Sequence, residues 1–398
     1  QKTAYEIRLS LVGSEMCIRD STWVGAEKDL PQVPVGTPQL DAGGAAVLPG
    51  LVECHSHLVF AGDRVKDYVR RARGDTYQQI ASEGGGILTT VNATRAASEH
   101  DLVDLALARL RTLLSHGVTT CEVKSGYGLT LEDELKILRV VKILGALQPV
   151  ELIPTLLGAH TTPREFAGRA DDYVKLVADH MIPQAAEGRL ARFVDVFVEK
   201  GAFTPAHARI VAASARAHGL GVKLHVDQLS SGEGAELAAE LQCTSADHLD
   251  HTTAAGISAL KASGTVAVLL PTAQVFLGHA ATAPARALVQ AGVPVAISSD
   301  FNPGTSPCAH LPLAGTLAVG QYKLTADEAL LGLTRNAALA VGRPELGRIH
   351  VGAPCDVILL RHPMPESLLY EMAGETVVTV VKAGRTVWQR PRVDLSRV

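Results

Sequence analysis

From about residue 46 onward, short runs rich in β-branched and apolar residues alternate with stretches of 3.6-residue periodicity. Eight such runs precede residue 301: AVLPGLVECHSH, VTTCEVKSGYG, VELIPTLLGAH, RFVDVFVEKGAF, GVKLHVDQL, CTSADHLD, TVAVLLPTAQVFL and VPVAISSD. The intervening LEDELKILRVVKIL, PAHARIVAASARAHG, AAGISALKASG and APARALVQAG are helical in pattern, and most end at Gly, the residue best suited to closing a helix. Eight strand–helix units predict an α/β fold, a closed parallel (β/α)8 TIM-like barrel over residues 46–345. The competing doubly wound sheet should carry a glycine-rich phosphate turn after a strand. The glycines at 84–86 follow no strand and lack that pattern.

Outside the barrel, VGAPCDVILLRHP and VVTVVKAGRTVWQ alternate in β fashion around a KAGR turn, and residues 21–50, with WVG and QLDAGGAAVLPG, lead toward the first run. Both termini are therefore expected to build one small β-sandwich domain, from residues 1–45 and 346–398. Residues 1–20 do not lead naturally into a strand, read as foreign to the fold, and are assigned no function.

Composition narrows the function classes. The chain has 398 residues, 47% hydrophobic and 20% charged, with a formal charge of -4, so a soluble globular protein is expected and neither disorder nor a broad basic surface is. Only 4% of residues are aromatic, and no basic stripe with interleaved aromatics supports nucleic-acid binding. Six scattered cysteines without CxxC spacing argue for a reducing compartment. With no membrane-length apolar run and no signal-peptide pattern, a cytoplasmic protein without membrane association is expected.

The polar residues at the carboxyl ends of the predicted strands carry the chemistry, because barrel enzymes build their sites on that face. Strand one ends with His55 and His57, strand three with His160, strand five with His225, strand six with His248 and strand eight with Asp300. Two imidazoles two residues apart on a strand point the same way and suit one metal ion. Three histidines and a carboxylate would satisfy zinc or iron while leaving a position for water. Asp300 is the candidate for proton transfer during attack by that water. Each residue has a plainer reading: His225 or His248 as a core histidine, Asp300 as a turn cap before FNPG.

In these motifs the chain resembles the amidohydrolase superfamily, and within it the branch that opens an imidazolone ring in histidine degradation. The resemblance spans about residues 22–390 and rests on PGLVECHSHLVFAGDR, GGGI, EVKSGYGL, LGAH, EKGAF, KLHVDQL, SADHL and SSDFNPGTSP, in that order. HxH with a strand-eight Asp is common to many amidohydrolases, whereas KSGYGL and DFNPGTSP are more specific. The resemblance implies His55, His57, His225 and Asp300 as ligands of one zinc or iron ion per subunit. It implies that Arg64 holds a propanoate carboxylate, a task suited to a planar guanidinium; Tyr127 and His160 line the pocket; Asn302, Gly304 and Thr305 contact the ring-opened product; and His248 polarises the carbonyl or shuttles a proton. Read without the family, Arg64 is a surface residue beside Lys66 and Arg70, Tyr127 is loop packing and FNPGT only a turn. Gln228 stands where the family often has Glu, so it can bond the ring amide but cannot accept a proton. Lys200 in VEKGAF is read as structural and the site as mononuclear, although superfamily members with two metals use a carboxylated lysine from this strand.

The implied activity is hydrolysis of the cyclic amide C–N bond of 4-imidazolone-5-propanoate to N-formimino-L-glutamate, by a homodimer whose only partner is a small molecule with a carboxylate tail. The alternatives are another amidohydrolase, either a heterocyclic-base aminohydrolase or a hydantoinase-like cyclic amidase, and, more remotely, an inactive barrel acting as a binding protein.

Overall fold

The computed structural model describes residues 19–76, 79–80, 83–278 and 280–391. Twelve strands occur among them: β1 (Val47–Pro49), β2 (Leu51–Glu53), β3 (Val118–Lys124), β4 (Glu151–Ala159), β5 (Phe193–Val198), β6 (Gly221–Val226), β7 (Ser245–His248), β8 (Val266–Leu269), β9 (Val295–Ile297), β10 (Val357–Leu360), β11 (Val377–Lys382) and β12 (Arg385–Gln389). Strands β2 to β9 pair in sequential order as one eight-stranded parallel sheet, the architecture that the alternation predicts. Just beyond the first and last of these strands, Ser56 bridges Phe301 in parallel, and the His57 amide donates to the Phe301 carbonyl at 2.8 Å.

The expected helices form where the pattern places them. Leu131–Leu147, Pro205–Ala217 and Ala254–Ser263 start at Thr130, Thr204 and Thr253, whose side chains accept from amides of the first turn. Each lays its apolar stripe against the barrel, as Leu135, Leu138 and Val141 do on the first. The third closes at Gly264 in the left-handed conformation.

Two runs divide differently from the pattern. TVAVLLPTAQVFL is strand only to Leu269, because Pro271 cannot donate to a ladder and instead opens the helix Pro271–Leu277. AVLPGLVECHSH is two strands in two sheets rather than one. Val47–Pro49 pairs antiparallel with β10, and after Gly50 the chain enters the barrel beside β3. Gly50 makes that hand-over by passing so close to β3 that a Cβ there would lie 2.2 Å from Thr119 Oγ1.

The small domain holds an antiparallel sheet in the order β1-β10-β11-β12, so segments from both ends of the chain share it. WVG is not a strand; between residues 22 and 46 Pro31, Pro34 and Pro38 remove ladder donors, and the only regular element is a short 3-10 helix, Glu27–Asp29. The reading of residues 1–20 falls outside the described residues up to residue 18. Asp20 bridges Pro354, and the Cys355 amide donates to the Arg19 carbonyl at 2.7 Å. The five described cysteines are free thiols, and no described helix is long and apolar enough to cross a membrane.

Gly50→Ala should cost about 1–3 kcal/mol through overpacking against Thr119. Urea unfolding will read this as a lower midpoint at unchanged slope.

Candidate metal centre at the barrel rim

The chemistry-bearing side chains leave the strands where the backbone is under strain. Asp227, His248 and Asp300, at or just past the ends of β6, β7 and β9, have φ of 53°, 83° and 52°, a region that non-glycine residues enter at a cost. Consecutive strand residues normally face opposite ways. Asp247 and His248 nevertheless both reach the histidine cluster, and the left-handed turn at His248 permits it.

One ring nitrogen from each of His55, His57 and His225 lies within 4.8 Å of the others. Asp300 Oδ1 is 3.4 Å from His55 Nε2 and 3.7 Å from His57 Nε2. Burial holds all three imidazoles well below their usual range, so they stand neutral with lone pairs available. His55 Nε2 is buried without a hydrogen-bond partner, which is costly for a polar atom unless something takes its lone pair. Three neutral imidazoles gathered together, with the Asp300 carboxylate beside two of them, fit a metal ion. Burial raises the Asp300 carboxyl to about 8, against the pull of bonds from Asn302 and Thr305, and a cation beside it would lower it again.

Beneath the histidines the barrel interior is charged. Lys124 Nζ lies 2.6 Å from Asp195, 3.1 Å from Glu122 and 3.4 Å from Asp247, while Lys223 Nζ lies 2.6 Å from Glu122 and 4.0 Å from Asp247. All five side chains are fully buried. Burial alone would discharge Lys124, but Asp195, Glu122 and Asp247 outweigh it and hold the ammonium well above its usual range. Burial likewise works against the Asp247 charge, and Lys223 and Lys124 keep that carboxyl low. This layer touches the rim twice: Asp247 Oδ2 meets His55 Nδ1 at 2.6 Å, and Asp195 Oδ2 lies 3.0 Å from His225 Nδ1.

The other residues singled out in the sequence fall around this centre. The His248 ring centroid is 5.4 Å from that of His225, and the His160 ring stacks on His57 at 5.3 Å with Nδ1 3.0 Å from the Gly126 carbonyl. Tyr127 is buried, 5.8 Å from His57 between ring centroids. Gln228 is buried two residues beyond β6.

Arg64 is half-buried, with its side chain only 8% exposed; its Nε donates to Asp67, and with Arg71, Gly304 and Thr305 it lines a pocket. Gly304 makes room for it, since a Cβ there would sit 2.9 Å from Arg64 Nη1. Thr305 lines the same pocket and donates to Asp300 Oδ2 at 3.3 Å. Asn302 is engaged within the turn: Nδ2 donates to the Asp300 carbonyl and Thr305 Oγ1, and Oδ1 accepts from the Gly304 and Thr305 amides. These bonds use its full hydrogen-bonding capacity, so its contribution is to shape the turn. Lys200 is exposed past β5, while Glu199 ties down the loop after β6 through the Leu229 amide at 2.8 Å.

Sequence reasoning missed Glu53, Glu122, Lys124, Asp195, Lys223, Asp227 and Asp247. Only their position inside hydrophobic runs hinted at them, and a charge in a short strand is usually a solvated one. Asp227 gathers the Gly232, Gly234 and Ala235 amides and the Thr252 hydroxyl, fixing the loop beside Gln228.

A parallel eight-stranded sheet that brings such donors to its carboxyl rim defines the barrel hydrolases that work with a bound metal. Residues 61–388 match the Amidohydrolase family, to which the chain belongs. Within that family it groups with the imidazolonepropionases: it is 50% identical over 347 residues to the imidazolonepropionase of Ectopseudomonas mendocina, covering 87% of this chain and 86% of the relative. The imidazolonepropionase of Symbiobacterium thermophilum is 45% identical over 388 residues, covering 96% and 91%. Among solved structures, 5-methylcytosine deaminase from Klebsiella pneumoniae liganded with 5-fluorocytosine superposes with TM-score 0.75 at 16% identity, covering 98% of each chain. Atrazine chlorohydrolase TrzN from Arthrobacter aurescens TC1 complexed with zinc gives TM-score 0.68 at 17% identity, covering 95% and 91%. At that identity the two structures share the fold with this chain.

Burial raises the Glu53 carboxyl from 4.5 to about 7, despite bonds from Ser298 and Ser299 that favour its charge. Between those values the folded chain holds a proton that the unfolded chain has released, so this residue's contribution to stability falls as pH rises from about 4.5 to about 7. Glu53→Gln should flatten that part of the stability–pH curve, measured by denaturant unfolding of the metal-free protein across the window.

Proposed function

We propose that this chain hydrolyses 4-imidazolone-5-propanoate to N-formimino-L-glutamate in histidine degradation. One observation carries the substrate assignment: a buried guanidinium, Arg64, lines a pocket that Thr305 joins directly to Asp300. A site for neutral heterocyclic bases has no use for a buried Arg at that position, which is why a base aminohydrolase is the weaker reading. Arg64 binds the propanoate carboxylate and so sets the ring carbonyl over the histidine cluster.

His55, His57, His225 and Asp300 would hold one zinc or iron ion, both of which accept imidazole and carboxylate. Such an ion supplies a water acidified toward neutrality. Asp300 takes the proton of the attacking water and delivers it to the ring nitrogen as the C–N bond breaks. His248 donates to the carbonyl oxygen as negative charge develops there. Gln228 has no proton to take up and serves by hydrogen-bonding the ring amide, while Tyr127 and His160 wall the pocket. Gly304 and Thr305 keep the Arg64 side of the site in shape. The working unit is proposed to be a cytoplasmic homodimer.

Elemental analysis of the purified chain together with an imidazolone-consumption assay tests this directly. About one zinc or iron per chain with turnover is expected; a chain without either metal, or one inert on the imidazolone, removes the proposal. Arg64→Met should raise KM for the acid substrate about 30- to 150-fold, the loss of a charge-assisted contact of about 2–3 kcal/mol, with a smaller change in kcat. Steady-state kinetics will show it, and an unchanged KM would return the neutral-heterocycle reading.

A further inference from the structure

Asp247 is fully buried and takes no direct part in the chemistry described above, yet its oxygens are fixed from four sides. Oδ2 lies 2.6 Å from His55 Nδ1, 3.4 Å from Lys124 Nζ and 4.0 Å from Lys223 Nζ, while Oδ1 accepts from Ser245 Oγ at 2.6 Å. A carboxylate in that position can only accept, so the shared proton resides on His55 Nδ1 and the ring is held as one tautomer. In that tautomer Nε2 is the bare lone pair, and the Nε2 of His55, like Nδ1 of His57 and Nδ1 of His225, is buried without a hydrogen-bond partner; it lies 3.4 Å from Asp300. The two lysines keep Asp247 ionised and stop it from swinging away.

We propose that Asp247 is a positioning residue for the metal centre: by accepting the Nδ1 proton of His55 it fixes the ring's tautomer and aims Nε2 at the ion. The inference rests on the reading of this cluster as a metal centre. An outer carboxylate of this kind orients a ligand and strengthens it as a donor, and its loss typically weakens metal affinity 10- to 100-fold. A merely structural role in the charged layer would be shared by its neighbours. Glu122 separates the two cases, because it pairs with the same two lysines and with Thr155 but has no histidine contact among the described residues.

The test is Zn2+ affinity of the full chain, read by competition with a chelator and so independent of turnover. Asp247→Asn should bind Zn2+ about 10- to 100-fold more weakly than wild type, whereas Glu122→Gln should stay within about twofold even if it melts earlier. Wild-type affinity in Asp247→Asn overturns the proposal, as does an equal loss in Glu122→Gln. A wild-type chain that takes up no Zn2+ overturns the metal reading itself and the inference with it. Should Asp247→Asn fail to fold, Ser245→Ala, which removes one hydrogen bond from Asp247, should still weaken Zn2+ binding by about threefold; unchanged affinity there counts against the proposal.

Discussion

The structure depends on a dry layer of opposite charges inside the barrel. Lys124 and Lys223 are stripped of water, and the close approach of Glu122, Asp195 and Asp247, with the Cys54 carbonyl accepting from Lys223, offsets that loss. Removing one member leaves its partners charged and unsatisfied, which is far more damaging than never having buried them. Through Asp195 and Asp247, which also meet His225 and His55, the barrel floor helps to place two of the rim imidazoles.

A second constraint acts where the first and last barrel strands meet. Glu53 accepts from the Ser298 and Ser299 hydroxyls and from the Ser299 amide, tying the segment that bears His55 and His57 to the segment that bears Asp300. Beyond that seam Asn302 folds the chain into a turn whose Gly304 admits Arg64 and whose Thr305 reaches back to Asp300. The pocket beside Arg64 and the Asp300 carboxylate thus share one short segment. Strained φ values at His248 and Asp300 are the local cost, and the surrounding hydrogen bonds hold them.

Much of this was legible in advance. The strand runs and intervening helices kept their order, and His55, His57, His225, His248, His160 and Asp300 gather at one rim because each sits at the end of a run. Legibility failed where one apolar run served two elements, at Gly50 and at Pro271, since periodicity cannot distinguish a strand that ends from one that changes sheet. It failed again at Lys124 and Lys223, which look like solvated charges until Glu122, Asp195 and Asp247, far apart in the chain, are brought within reach. Nor does the FNPGT motif, through which the resemblance brings Asn302 to the product, reveal that the Asn302 amide is bonded within its own turn.

The sequence by itself determined the eight-unit alternation, the histidines and Asp at strand ends, and the Arg64 and FNPGT motifs, because these depend on residue type and spacing along the chain. Only the tertiary structure decided which carboxylate meets which imidazole, how the lysines are neutralised, and that the Arg64 side chain is buried. Those outcomes depend on distances between strands remote in sequence, and electrostatic energy in a dry interior is set by such distances.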